Sequence, residues 1–185
     1  MIVWKKTKKK MVPKDQRLVK SKWVFKIKRN GIFRARLVAC GYTQIPGVDF
    51  TETYAPVIHN VTFRIMIVMM ILLKLVGKLI DIETAFLYGD LDEEIYMECP
   101  AGLEHDEDEV LLLLKPIYGL IQVARQFYKK WKHVLEKIGF ESNQIDPCLF
   151  SKKKEMYIGS YVDDNITLGT NEGIAETIKE IEKQG

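Results

Sequence analysis

Two aspartates stand side by side in the stretch Tyr161-Val162-Asp163-Asp164-Asn165. Adjacent carboxylates repel one another, so a chain that keeps such a pair either hydrates it in a turn or neutralises it with cations. A third carboxylate, Asp81, ends the short apolar run Lys78-Leu79-Ile80. Strand-prone residues precede both sites. If the two strands are neighbours, Asp81, Asp163 and Asp164 converge at one sheet edge. Hard oxygen ligands on a rigid platform suit Mg²⁺, which takes one or two carboxylates together with substrate phosphates. Taken alone, an Asp-Asp turn is more often a solvated hairpin, and Asp81 alone reads equally well as a cap or turn residue.

The elements that would position these aspartates can be read from pattern. The stretch 23–40 reads as a β-hairpin, with Asn30-Gly31 favouring a two-residue type I′ turn. That turn would put Phe25 and Ile27 on the same face as Arg34 and Arg36. Either the register differs, or the hairpin is exposed and works with its charges. Residues 61–76 read as a buried apolar helix closed by Gly77, followed by a strand over 78–82. Ala124, Phe127, Tyr128, Trp131, Val134, Leu135 and Ile138 recur near the helical period and predict an amphipathic helix ended by Gly139. The last strands form a hairpin with Asp163-Asp164 at its tip. The mixture of helices and antiparallel hairpins predicts an α+β domain over 21–185, after a basic and flexible stretch over 1–20.

Composition narrows the partners. The 185 residues carry 28 Lys and Arg against 25 Asp and Glu, for a net charge of +3. The modest total hides an asymmetry: half of the Lys and Arg precede Leu37, where Asp15 is the one acid. A basic front of this kind suits a polyanion. Cys40, Cys99 and Cys148 lie far apart without zinc spacing, which argues against a disulfide framework and for a reducing compartment. The apolar run 65–73 is too short to cross a bilayer, which takes roughly 20 residues. No secretory leader precedes the basic start.

The blocks resemble a known family. "YVDD" resembles the Y-x-D-D motif of reverse transcriptases. "DIETAFLYGDLDEEIYMECPAG", "KWVFKIKRNG…RARLVACGYTQIPGVDFTETYAPV", "KPIYGLIQVARQFYKKW" and "GFESNQIDPCLF" are similar to blocks of copia-type retrotransposon reverse transcriptases. The resemblance covers roughly residues 23–169.

The resemblance implies a polymerase palm, a split βαβ-like antiparallel sheet backed by helices, with a fingers β-hairpin and no thumb. The helices from Val61 and Ala124 would cover one sheet face and leave the other to nucleic acid. It implies that Asp81, Asp163 and Asp164 hold two Mg²⁺ ions, with Mn²⁺ as a substitute, and transfer a nucleotide from a dNTP to a primer 3′-hydroxyl. Phe86 would be a steric gate under the deoxyribose. Gln122 would touch the incoming nucleotide, and Arg36, with Arg34 as the alternative, would clamp its triphosphate. Backbone amides at Thr84 and Ala85 would meet the phosphates, and Tyr161 would support the turn and the primer end. The partners implied are an RNA template, a DNA primer and the rest of a Pol polyprotein, including thumb and RNase H. The setting implied is cytoplasmic, in a virus-like particle, with nuclear access. The alternative is a catalytically inactive nucleic-acid-binding remnant of such an element.

Several residues depart from the family pattern. Ile121 stands where Lys is common, Val123-Ala124 where Ala-Pro is usual, and Cys40 where a basic residue is typical. Asn165 stands where an aliphatic is expected, at a strand position where a buried polar group costs stability unless it is bonded.

Overall fold

Apolar stretches of strand and helix period alternate along the chain, and the strands pair by hydrogen bonding. In the computed structural model, residues 1–82 and 84–184 are described; Glu83, inside the Asp81 motif, and Gly185, at the end of the expected domain, lie outside them. The elements in chain order are β1 (Trp4–Lys8), β2 (Ser21–Ile27), β3 (Phe33–Ala39), α1 (Asn60–Leu72), β4 (Val76–Asp81), β5 (Tyr96–Met97) and β6 (Glu109–Leu113). They continue with α2 (Val123–Lys137), β7 (Glu141–Ser142), β8 (Leu149–Lys152), β9 (Met156–Tyr161), β10 (Asp164–Gly169) and α3 (Asn171–Glu182). With three helices and antiparallel sheets, the α+β class is observed. The chain divides into two compact units, Met1–Tyr54 with Phe86–Phe127 and Ala55–Ala85 with Tyr128–Gly185.

In the first unit, β1, β6 and β5 form a three-stranded sheet, and β2 and β3 form a separate hairpin. Val19, Ile95, Met97, Leu111, Leu113, Ile117 and Leu120 make its core. The first twenty residues, expected to be loose, carry β1. Its register on β6 brings Lys8 against Asp106 and Asp108, with Nζ donating at 3.1 and 2.7 Å, and Lys6 to 3.1 Å from Glu109. Two N-terminal lysines are therefore spent on the acidic loop.

The β2–β3 hairpin resolves the mismatch that its sequence raised. The loop has three residues, Arg29 to Gly31, closed by the Lys28 N–H donating to Ile32 O at 2.9 Å and the Gly31 N–H to Lys28 O at 2.9 Å. Gly31 takes φ +79°, while Asn30 stays at negative φ, so the turn is a bulged one, not the two-residue type I′ turn expected. The odd loop shifts the register by one, pairing Ile27 with Phe33, Lys26 with Arg34 and Val24 with Arg36. Side chains directly opposite share a face, so Lys22, Lys26, Arg34 and Arg36 line one side and Trp23, Phe25, Ile27 and Phe33 the other. A single loop residue separates charge from apolar surface.

The second unit is built on a five-stranded sheet in the order β4-β10-β9-β8-β7, antiparallel throughout. The helix expected over 61–76 is α1, and it ends earlier. It is apolar all round, yet Met66 is its one buried residue, and Val61, Ile71 and Leu72 are exposed. α1 and α2, expected to share one sheet face, take opposite ones. A Cβ on Gly159 would lie 2.7 Å from Met66 Sδ of α1, whereas the next residue, Ser160, accepts a 2.9 Å hydrogen bond from Trp131 Nε1 of α2. Consecutive strand residues point to opposite faces. α3 joins α2's side, where its Gly173 approaches Met156. Among the described residues no helix is long and apolar enough to cross a membrane.

Candidate active site

β10 lies between β4 and β9, and its first residue, Asp164, pairs with Asp81 on one side and with Tyr161 on the other. Register partners in antiparallel strands share a face, with Cβ atoms about 4.5–5.5 Å apart. Asp81, Asp164 and Tyr161 thus form one exposed row across the end of the sheet. The strands are brought together by apolar pairing further along, where Leu168 and Ile166 of β10 pack with Met66 and Met70 of α1.

The β9–β10 connection is tighter than expected. Its tip is Val162-Asp163, not Asp163-Asp164, because Asp164 already belongs to the strand. Val162 sits at φ +57°, a left-handed conformation that a β-branched residue adopts only under constraint. One such constraint is visible: Asn165 Nδ2 donates to Asp163 O at 3.0 Å and draws the turn back onto the strand. Asn165 is buried, and among the described residues its Oδ1 has no hydrogen-bond partner, nor has the neighbouring Thr167 Oγ1 on the same face. The polar residue at the aliphatic position therefore finds half of its bonding.

No cation or hydrogen-bond donor among the described residues contacts the carboxylates of Asp81, Asp163 or Asp164. No group of three or more metal-ligating side chains is gathered closely enough among the described residues to hold an ion. The chemistry of the donors nonetheless fits Mg²⁺: two exposed carboxylates on one face supply hard oxygens and leave the remaining positions to phosphate and water.

The other expected site residues separate into two groups. In the second unit, Thr84 takes φ +55°, and the Ala85 N–H is already donated to Ile82 O at 3.2 Å. In the first unit, Gln122 is buried and its amide is bonded at both its oxygen and its nitrogen. Its Oε1 accepts from Gln44 Nε2 at 3.0 Å, and its Nε2 donates to Asp49 O at 2.8 Å. Gln44 Oε1 in turn accepts the Ile121 N–H at 2.8 Å. Gln122 thus ties the 44–49 loop to the start of α2.

Arg36, Phe86 and a residue that sequence reading passed over, Tyr118, stand together. The Arg36 guanidinium lies 5.1 Å from the centre of the Tyr118 ring, and Phe86 meets that ring edge-on at 4.8 Å. Phe127 closes on Phe86 from another side at 6.2 Å. Among the described residues Arg36 has no carboxylate partner, and its Nε is buried without a hydrogen bond. Arg34 is exposed on the same hairpin face. Tyr118 was visible as part of the "KPIYGL" block, but both its neighbours come from distant blocks, and no local signal joined them.

The reverse transcriptase (RNA-dependent DNA polymerase) family matches residues 3–184. The Pol polyprotein of transposon TNT 1-94 from Nicotiana tabacum is 37% identical over 179 residues, covering 91% of this chain and 14% of the relative. The Pol polyprotein of transposon RE2 from Arabidopsis thaliana is 34% identical, covering 86% of this chain and 12% of its own length. The truncated transposon Ty1-A Gag-Pol polyprotein of Saccharomyces cerevisiae is 30% identical, covering 89% and 14%. The chain therefore spans about one-seventh or less of the relatives it matches. No solved structure matches it.

Proposed function

Because this chain belongs to the reverse transcriptase family found in copia-type retrotransposon Pol polyproteins, we propose that it extends a DNA primer on an RNA template by nucleotidyl transfer. The observation that carries the reading is the register pairing of Asp81 with Asp164 beside the Val162-Asp163 turn. Like charges directly opposite in a sheet are destabilising, and no cation or donor among the described residues relieves this pair. Divalent ions would relieve it. In this reading the second unit is the palm and the first contributes the fingers.

Asp81, Asp163 and Asp164 would hold two Mg²⁺ ions, with Mn²⁺ as a substitute. Bound there, the ions supply Lewis acidity to the primer 3′-hydroxyl and to the leaving pyrophosphate. The chain's own contribution is placement. Tyr161, in the same row as the two aspartates, supports the primer end. Arg36, backed by Arg34, offers a guanidinium fork to the triphosphate, a group with the geometry for phosphate oxygens. Phe86 lies under the sugar and excludes a 2′-hydroxyl. Backbone amides around Thr84 and Ala85 approach the phosphates, and Gln122, which also holds the 44–49 loop, touches the incoming nucleotide near its 3′-hydroxyl. The cationic hairpin face grips the template–primer backbone, a sequence-independent contact weakened by salt. The thumb and RNase H of a longer Pol polyprotein complete the machine.

A second reading, an inactive nucleic-acid-binding remnant, draws on the same cationic hairpin face, which needs no metal. Primer extension on poly(rA)/oligo(dT) with Mg²⁺ separates the two. Incorporation by the chain, abolished by Asp163→Asn with duplex binding retained, supports the polymerase. Salt-sensitive binding without incorporation by the unmodified chain overturns it in favour of the remnant.

A further inference from the structure

The contacts of Tyr118 carry a role beyond those of its neighbours. We infer that Tyr118 is a positioning residue that couples sugar discrimination to phosphate binding, because one ring contacts both the gate residue Phe86 and the clamp residue Arg36. The inference rests on the nucleotide-site reading above.

The backbone dictates where this ring stands. Tyr118 O accepts the Ala39 N–H at 2.8 Å, which ties the residue to the end of β3, the strand that carries Arg36. The following residue, Gly119, takes φ +92°, and a Cβ there would overlap the Ala39 carbonyl, so the turn cannot be filled by another side chain without moving β3. Tyr118 is held in place by the strand, and its ring is half-buried.

From that fixed point the ring acts on two groups. The ring lies beneath the Arg36 guanidinium, whose Cζ is 5.1 Å from the ring centre. An aromatic face can hold a guanidinium without neutralising it, unlike an ion pair. Phe86 meets the same ring in an edge-to-face contact, and Phe127 makes a second edge-to-face contact with Phe86. A gate works only if it cannot yield when a 2′-hydroxyl pushes on it. Loss of the Tyr118 ring frees the gate and the clamp together, whereas loss of Phe86 removes the gate alone.

The test measures equilibrium binding of dTTP and of UTP to the full chain with Mg²⁺ and a chain-terminated primer on poly(rA), so that no turnover occurs. Tyr118→Leu is expected to weaken dTTP binding about tenfold and to shrink the preference for dTTP over UTP by a similar factor, the scale of an aromatic pair and a cation–π contact. Tyr118→Phe, which keeps the ring, restores both. Phe86→Val is expected to lose the preference while holding dTTP binding closer to the parent. General loosening of the fold would lower dTTP and UTP binding alike, and a thermal melt of each variant checks that it folds. A parent that prefers dTTP with the preference unchanged in Tyr118→Leu overturns the inference and leaves the polymerase reading standing. A parent that binds neither nucleotide overturns that reading, and the inference with it.

Discussion

Asp81 and Asp164 face one another across β4 and β10, two carboxylates in register at the end of a sheet face whose next pairs, Leu79 with Ile166 and Gly77 with Leu168, are apolar. The arrangement sets function against stability. Asp81→Asn is expected to abolish primer extension and at the same time to raise stability. The gain is about 0.2–1 kcal/mol, the range for relieving a like-charge cross-strand pair, and it shrinks in high salt. Urea denaturation at low and high NaCl, run beside the extension assay, checks both signs.

The strained turn offers a second measurement. Val162 holds φ +57°, and Gly adopts that conformation without steric cost. Val162→Gly is expected to stabilise the chain by about 1 kcal/mol, the left-handed penalty of 1–3 kcal/mol less the added backbone entropy of glycine. An unchanged or lowered denaturation midpoint would show that the turn is not strained as the dihedral implies.

Asn165 is buried in β10, an interior strand, with one hydrogen bond made and its Oδ1 unbonded among the described residues. Asn165→Val removes an unsatisfied buried oxygen, a cost of about 1–3 kcal/mol, and gives up the bond to Asp163 O, typically about 1 kcal/mol. A net gain of about 1 kcal/mol is expected in thermal or chemical melting. A loss would mean that the clamp on the turn outweighs the orphan oxygen.

Cys148 provides a pH test. Burial, with the nearby Asp146 adding to it, pushes its thiol from the ordinary 9.0 up to about 12. In the unfolded chain the thiol ionises near its ordinary value while the folded chain still holds the proton. The unfolded state then binds fewer protons, so stability falls as pH rises from about 9 to about 12. Cys148→Ser is expected to flatten that decline in a series of melts. At pH 8 the native thiol should resist iodoacetamide and react once urea is added, as mass spectrometry of the peptide would show.

Local patterns carried much of the architecture. Helical spacing from Ala124 to Ile138 forecast α2, with Gly139 at its end, because an amphipathic face leaves its period in the sequence. The apolar run before Asp81 forecast β4 for similar reasons. The Asn30-Gly31 hairpin was legible as a hairpin, but its loop length was not. Asn-Gly serves both two-residue and bulged turns, and only strand pairing decides between them. The first twenty residues showed no period of their own, since β1 is held by β6, about a hundred residues away along the chain.

The chemistry on offer was legible before folding: three aspartates in two motifs, a basic front and blocks that match a polymerase family. Residue types and short spacings are sufficient for that. Only the tertiary structure decided that Asp81 meets Asp164 side by side, that α1 and α2 take opposite faces of the sheet, that Gln122 is engaged in a buried amide network, and that Tyr118 joins Arg36 to Phe86. Each of these depends on strand register or long-range packing. Register is set by the summed fit of whole strands, and a shift of one residue turns every side chain to the other face.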